Sequence, residues 1–100
     1  MKRKEVYKNE KGQLHRTDGP AYINDKRNVW YFNGEYHRVD GPAIISETYD
    51  LWIINGRRHR VNGPAIVGGV YYKSWWINNK EIMYSEDYIH EGIKDFIYGI

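Results

Sequence analysis

Three histidines occupy identical contexts in this chain. His15-Arg16-Thr17-Asp18-Gly19-Pro20-Ala21 recurs as His37-Arg38-Val39-Asp40-Gly41-Pro42-Ala43, and again as His59-Arg60-Val61-Asn62-Gly63-Pro64-Ala65. Three imidazoles suggest a metal site, and His with Asp three residues on suggests a general base with its orienting acid. Neither chemistry fits the pattern. No nucleophile recurs beside the histidines, and Asn62 breaks the pairing in the third copy. An active site is needed once, whereas this motif is present three times. There are no cysteines, so thiolate zinc sites, disulfides and cysteine nucleophiles are excluded. The sequence therefore predicts no catalytic residue, no metal site and no cofactor.

The arginines offer a second chemistry. Arg16, Arg38 and Arg60, with Arg57, Arg58 and Lys26-Arg27 nearby, would form a basic row able to follow a phosphate backbone, with tyrosines and tryptophans to stack on bases. Asp18, Asp40, Glu35 and Glu47 are interspersed at similar density, and 15 basic against 13 acidic side chains leave a net charge of only +2. Nucleic acid or an anionic lipid surface is thus the alternative partner, behind protein.

These residues must be positioned by repeated elements. Both offsets between the heptapeptides are 22 residues, and Gly12, Gly34 and Gly56 keep the same step. Trp30 and Trp52 are also 22 apart, Trp75 follows after 23, and Lys8 stands at the matching place in the first copy. Trp30-Tyr31-Phe32 and Leu51-Trp52-Ile53-Ile54 read as strands ending in the turn dipeptides Asn33-Gly34 and Asn55-Gly56. A polar stretch, Glu35 to Arg38, leads to a second turn at Asp40-Gly41-Pro42, where glycine would permit a positive φ. Ala43-Ile44-Ile45 is a second strand, closed by a loop from Ser46 to Asp50.

The expected fold is mainly β. It is a meandering antiparallel sheet of six to eight short strands, in a single layer or open half-barrel, built from units at about 7–29, 30–51 and 52–74 with a partial unit at 75–84. Strands about 4.8 Å apart put equivalent histidines roughly 9–10 Å from one another, too far to share a zinc ion held at about 2.0–2.1 Å. Structural duty for the motif follows: His15, His37, His59 and the arginines tie each turn to the neighbouring unit's carbonyls or acids, and Asp18, Asp40 or Asn62 accepts from the N–H groups of its own turn.

Ser85 would cap a C-terminal helix over 85–100, with Ile89, Ile93, Phe96, Ile97 and Ile100 on one face to cover the last unit or dock a partner. The one-domain chain opens Met1-Lys2-Arg3-Lys4-Glu5, which is not a secretory start, so a cytoplasmic location is expected.

The unit Trp-x-x-Asn-Gly-x-x-His-Arg-x-Asp-Gly-Pro-Ala, over residues 7 to about 80, resembles the variant form of the MORN repeat. That resemblance implies β-hairpins stacked into an elongated curved sheet. It also implies a protein-interaction or lipid-contact scaffold of the kind found in bacteria, phages and large DNA viruses, sometimes antitoxin-like, with no shared catalytic residues. Asn62 and the C-terminal segment depart from the pattern.

Function is therefore expected to be non-catalytic protein binding, as an inhibitor or antitoxin-like protein. Ten tyrosines and four tryptophans favour such a surface. Trp30, Trp52 and Trp75 are expected in the core. Adjacent strand residues face opposite sides, so the partner surface is placed on Tyr31, Ile53, Arg57, Arg58, Tyr71 and Trp76. An open sheet edge could also pair two copies of the chain.

Overall fold

The computed structural model describes residues 2–69 and 72–84. Tyr71 and the expected helix over 85–100 lie outside them. Among the described residues the chain forms twelve strands and no helix, so no helix there is long and apolar enough to cross a membrane.

Eight strands make one antiparallel meander. In spatial order they are β1 (Lys4–Val6), β2 (Tyr22–Asn24), β3 (Arg27–Val29), β6 (Ile44–Ser46), β7 (Tyr49–Leu51), β10 (Ile66–Gly68), β11 (Tyr72–Ile77) and β12 (Lys80–Tyr84). The remaining four form two small hairpins, β4 (Tyr31–Phe32) with β5 (Glu35–Tyr36) and β8 (Ile53–Ile54) with β9 (Arg57–Arg58).

Cross-strand pairing aligns one row of side chains. Val29 faces Ile44, Ile44 faces Leu51, Leu51 faces Ile66 and Ile66 faces Ser74. All five are buried and lie on one sheet face, as a period of two requires. Ala43, Tyr49, Ile53, Ala65, Tyr72 and Trp76 complete the core. The one buried polar residue of the described core, Ser74, accepts the Trp76 indole N–H at 2.7 Å, so both groups are satisfied.

Four local expectations are corrected. Trp30-Tyr31-Phe32 is not one strand: the chain leaves the main ladder at Trp30, and the same break recurs at Trp52. The polar stretch after each Asn-Gly turn is itself a strand, β5 or β9, because its partner strand across the turn supplies backbone hydrogen bonds. The loop expected from Ser46 to Asp50 shrinks to a tight turn, since the Ser46 hydroxyl accepts the Thr48 and Tyr49 N–H groups and donates to the Tyr49 carbonyl. Gly41 and its counterparts do not take positive φ; that conformation belongs to Gly12, Gly34, Gly56 and Gly69.

Candidate interaction face of the repeated loops

Asn33-Gly34 and Asn55-Gly56 adopt positive φ at both residues (47° and 83°, 50° and 75°), which makes the two-residue turns that match the twist of a hairpin. Each turn is held from the preceding unit. The backbone N–H groups of Asn33, Asn55 and Asn78 donate to Nδ1 of His15, His37 and His59 at 3.0, 3.0 and 3.1 Å. A ring that accepts at Nδ1 is neutral and carries its proton on Nε2. Histidine thus does join neighbouring units, but by accepting from a turn N–H instead of donating to carbonyls or acids.

Arginine and aspartate serve their own loop. Nε of Arg16 and Arg38 meets Asp18 and Asp40 at 3.0 and 3.1 Å, and Nη1 of Arg16, Arg38 and Arg60 donates to the carbonyls of Pro20, Pro42 and Pro64 at 3.1–3.2 Å. The guanidinium lies on an aromatic ring: Arg16 over Tyr7 at 4.0 Å, Arg38 over Trp30 at 3.9 Å, Arg60 over Trp52 at 3.8 Å. Its other side is closed by glycine. A Cβ on Gly19, Gly41 or Gly63 would stand only 3.1, 2.7 or 2.6 Å from the arginine Cζ. Glycine here admits the close approach of the guanidinium and is not called for by φ. Asp18 and Asp40 pair with arginine, and their expected bonds to their own turn N–H groups are replaced by that contact.

Tyr7 takes the place assigned to Lys8. The Tyr7 N–H bonds to the Ala21 carbonyl and its carbonyl accepts from His15, as Trp30 does with Ala43 and His37. The first hairpin is one residue longer, turning through Asn9 to Gln13 around the Asn9 side chain, so the 22-residue register slips by one there.

The charge presented outward is therefore the opposite of a basic rail. The Arg16 and Arg38 side chains are 26% and 22% exposed, whereas Asp18 and Asp40 are 82% and 87% exposed.

Between successive loops run two grooves of equivalent construction. The first, of about 620 Å³, lies between loops 16–20 and 37–40 on a floor of Trp30 and Phe32. The second, of about 440 Å³, lies between loops 38–41 and 59–62 on Trp52 and Ile54. Val39 and Val61 stand on the loop tips, 76% and 81% exposed. Phe32 is flanked by the His15 and His37 rings at 4.6 and 5.8 Å. A third hollow, of about 630 Å³, is lined by residues including Glu35, Arg57 and Asn78.

The residues assigned to a partner surface scatter. Ile53 and Trp76 are 2% and 7% exposed and belong to the core, which removes them from any surface. Inward positions alternate without interruption through Tyr49, Leu51 and Ile53, so Trp52 and Ile54 fall on the other side; taking Trp52 as core puts Ile53 on the wrong face. β11 alternates without interruption too, with Tyr72, Ser74 and Trp76 inward, so the inward tryptophan is Trp76 and Trp75 is half-buried. Trp30 and Trp52 are also only half-buried, with the core beneath and arginine above. Tyr31 is half-buried against the Tyr36 ring at 4.9 Å; burial, reinforced by its hydrogen bond with Tyr36, pushes its phenol pKa far up. Arg58 lies 4.9 Å over the Trp76 ring and donates to Asn79 Oδ1 at 3.1 Å, while Arg57 is exposed at the third hollow. Val39 and Val61 are not among the residues the sequence points to, although an apolar residue between Arg and Asp or Asn in a turn is a signal for them.

Among the described residues no three His, Cys, Asp or Glu side chains converge as metal ligands, each repeated imidazole being spent on a different turn. Comparison with family models, with curated proteins and with solved structures returned no match.

Proposed function

We propose that this chain is a non-catalytic protein-binding module, an inhibitor or antitoxin-like protein of MORN-like stacked hairpins that acts in the cytoplasm by occupying another protein's surface. One observation carries the reading: two like-built grooves lie side by side, each floored by a half-buried tryptophan with a second apolar residue, Phe32 or Ile54, and walled by loops that hold valine outward. Aromatic floors flanked by apolar tips are typical interaction anchors. The phosphate-following alternative loses its main support, because the three arginines are stacked on rings and bonded to their own loops.

The test is affinity capture from the native host with the full chain and with the Val39→Asp/Val61→Asp double variant. A stoichiometric protein partner held by the former and lost by the latter is expected. No such partner, or one that the variant retains, would overturn the reading.

A further inference from the structure

The two grooves share a wall, the loop bearing Val39 and Asp40. Equivalent points in them are one unit apart, which is two strands of the main sheet, or about 9.4–9.8 Å at 4.7–4.9 Å per strand. That spacing discriminates between ligand backbones. An extended strand points every second residue the same way, about 6.6–6.8 Å apart, and falls out of step. A polyproline II segment has three residues per turn and rises about 3.1 Å per residue, so every third side chain recurs on one side at about 9.3 Å.

The chemistry of the grooves agrees with that backbone. It has no internal hydrogen bonds, so its carbonyls are free to accept. Trp30 and Trp52 line the two floors, and their indole N–H groups have no acceptor among the described residues. Aromatic-lined grooves with available donors suit proline-rich segments, which lose little entropy on binding.

Charge sets the direction. The first groove has a carboxylate on each wall, Asp18 and Asp40, both outward-facing. In the second, Asn62 replaces the acid of the far wall. The first groove thus sets two acids against Arg16 and Arg38, and the second one acid against Arg38 and Arg60, so a cationic residue is better placed in the first groove than in the second, where an apolar residue or proline fits.

We infer that the partner segment is a polyproline II stretch carrying a basic residue and, three positions on, a proline or large aliphatic residue, lying across the Val39–Asp40 loop. The inference rests on the protein-binding reading and names the partner's chemistry.

The experiment uses the full chain against an array of immobilised ten-residue peptides. One set fixes arginine and then proline or leucine at every third position. A second has the same composition at every second position, and a third carries glutamate for arginine. Solution affinities of the best binders are then measured by fluorescence anisotropy, with thermal unfolding as a check that each variant folds. Period-three peptides should bind at least about tenfold tighter than period-two peptides, the worth of one lost anchor. Val39→Asp/Val61→Asp should abolish that preference, and Asp18→Asn should weaken the arginine peptides while weakening the glutamate set not at all, since it removes a like charge. Equal binding of both registers, or no binding across the array, overturns the inference. So does preferential, steeply salt-dependent binding of a single-stranded DNA oligonucleotide. If the array fails while host capture still yields a partner lost by the double variant, the protein-binding reading survives with a differently shaped occupant; if both fail, both fall.

Discussion

Replacing Gly41 with alanine sets a methyl group 2.7 Å from Arg38 Cζ, in a slot whose other wall is the Trp30 ring at 3.9 Å. Gly41 does not have positive φ, so the alanine backbone is acceptable and the guanidinium is what must give way. Displacing it removes the ring contact, about 0.5–1 kcal/mol at a partly exposed site. It also removes the charged donor to the Pro42 carbonyl, about 1.5 kcal/mol, and the exposed pair with Asp40, about 0.5 kcal/mol. Alanine stiffens the unfolded chain and returns about 0.4–1 kcal/mol. The net loss is about 2 kcal/mol, or roughly 10 °C in Tm for a domain this small. Thermal and urea unfolding measure it, and a double-mutant cycle isolates the cause. In an Arg38→Ala background the methyl meets nothing charged, so Gly41→Ala should turn stabilising by about 0.5 kcal/mol. Gly63→Ala, with its contact at 2.6 Å, should behave like Gly41→Ala, and Gly19→Ala, at 3.1 Å, should be the mildest. A neutral or stabilising Gly41→Ala in the wild-type background would show that Arg38 swings clear at no loss and would refute the clamp.

His37→Phe keeps a ring beside Phe32 and deletes the acceptor for the Asn55 N–H. It should lower stability by about 1 kcal/mol and speed hydrogen exchange at Asn55 while leaving Asn33 and Asn78 unchanged; unaltered Asn55 protection would contradict the link. Asp50 stands opposite Ile45 and Val67, and burial raises its carboxyl pKa against the pull of the Ser46 backbone N–H. The folded state therefore holds this proton more tightly than the unfolded chain. The residue's contribution turns unfavourable as pH rises through its folded pKa, and the penalty vanishes below the ordinary carboxylate range. Asp50→Asn should be more stable than the wild type at neutral pH, with the gap closing in acid, as urea unfolding at the two conditions would read; a pH-independent gap would refute it.

The main sheet was legible because two local signals agree. The 22-residue step fixes how often the strands recur, and the branched and aromatic residues mark the segments that pair; the Asn-Gly turns close the small hairpins instead. Ile44, Leu51 and Ile66 then fall on one face. Only the first arm and turn of each small hairpin were legible; the return arm was not, since nothing in Glu35-Tyr36-His37 distinguishes a short polar strand from a loop until its partner is in place. The inward turn of Ile53 and Trp76 was hidden because alternation runs unbroken through both segments but does not say which phase faces the core. The large apolar rings of Trp52 and Trp75 look like core although they are only half-buried, Trp52 beneath the Arg60 guanidinium. Gly41 was recognisable as special, but sequence alone does not separate a glycine that needs positive φ from one that admits a neighbour's side chain. Neither groove could be seen in the chain, because each is made by two loops 22 residues apart.

The motif divides its positions between two duties. Histidine fixes the next unit's turn, arginine is clamped between a ring and a glycine, and proline supplies the carbonyl that the arginine binds; all of these point into the structure. Thr17, Val39 and Val61, with Asp18, Asp40 and Asn62, occupy the places that face outward, and these are the places where the three copies differ. Loops held by their own side chains lose little freedom when a ligand arrives, so contact made at the outward positions converts more fully into affinity. On the proposed function, substitution there would change what the grooves receive while taking from the clamp at most the exposed aspartate–arginine pair, about 0.5 kcal/mol. On that reading binding preference and fold stability can change largely independently, as they could not if the arginines or histidines themselves touched the partner.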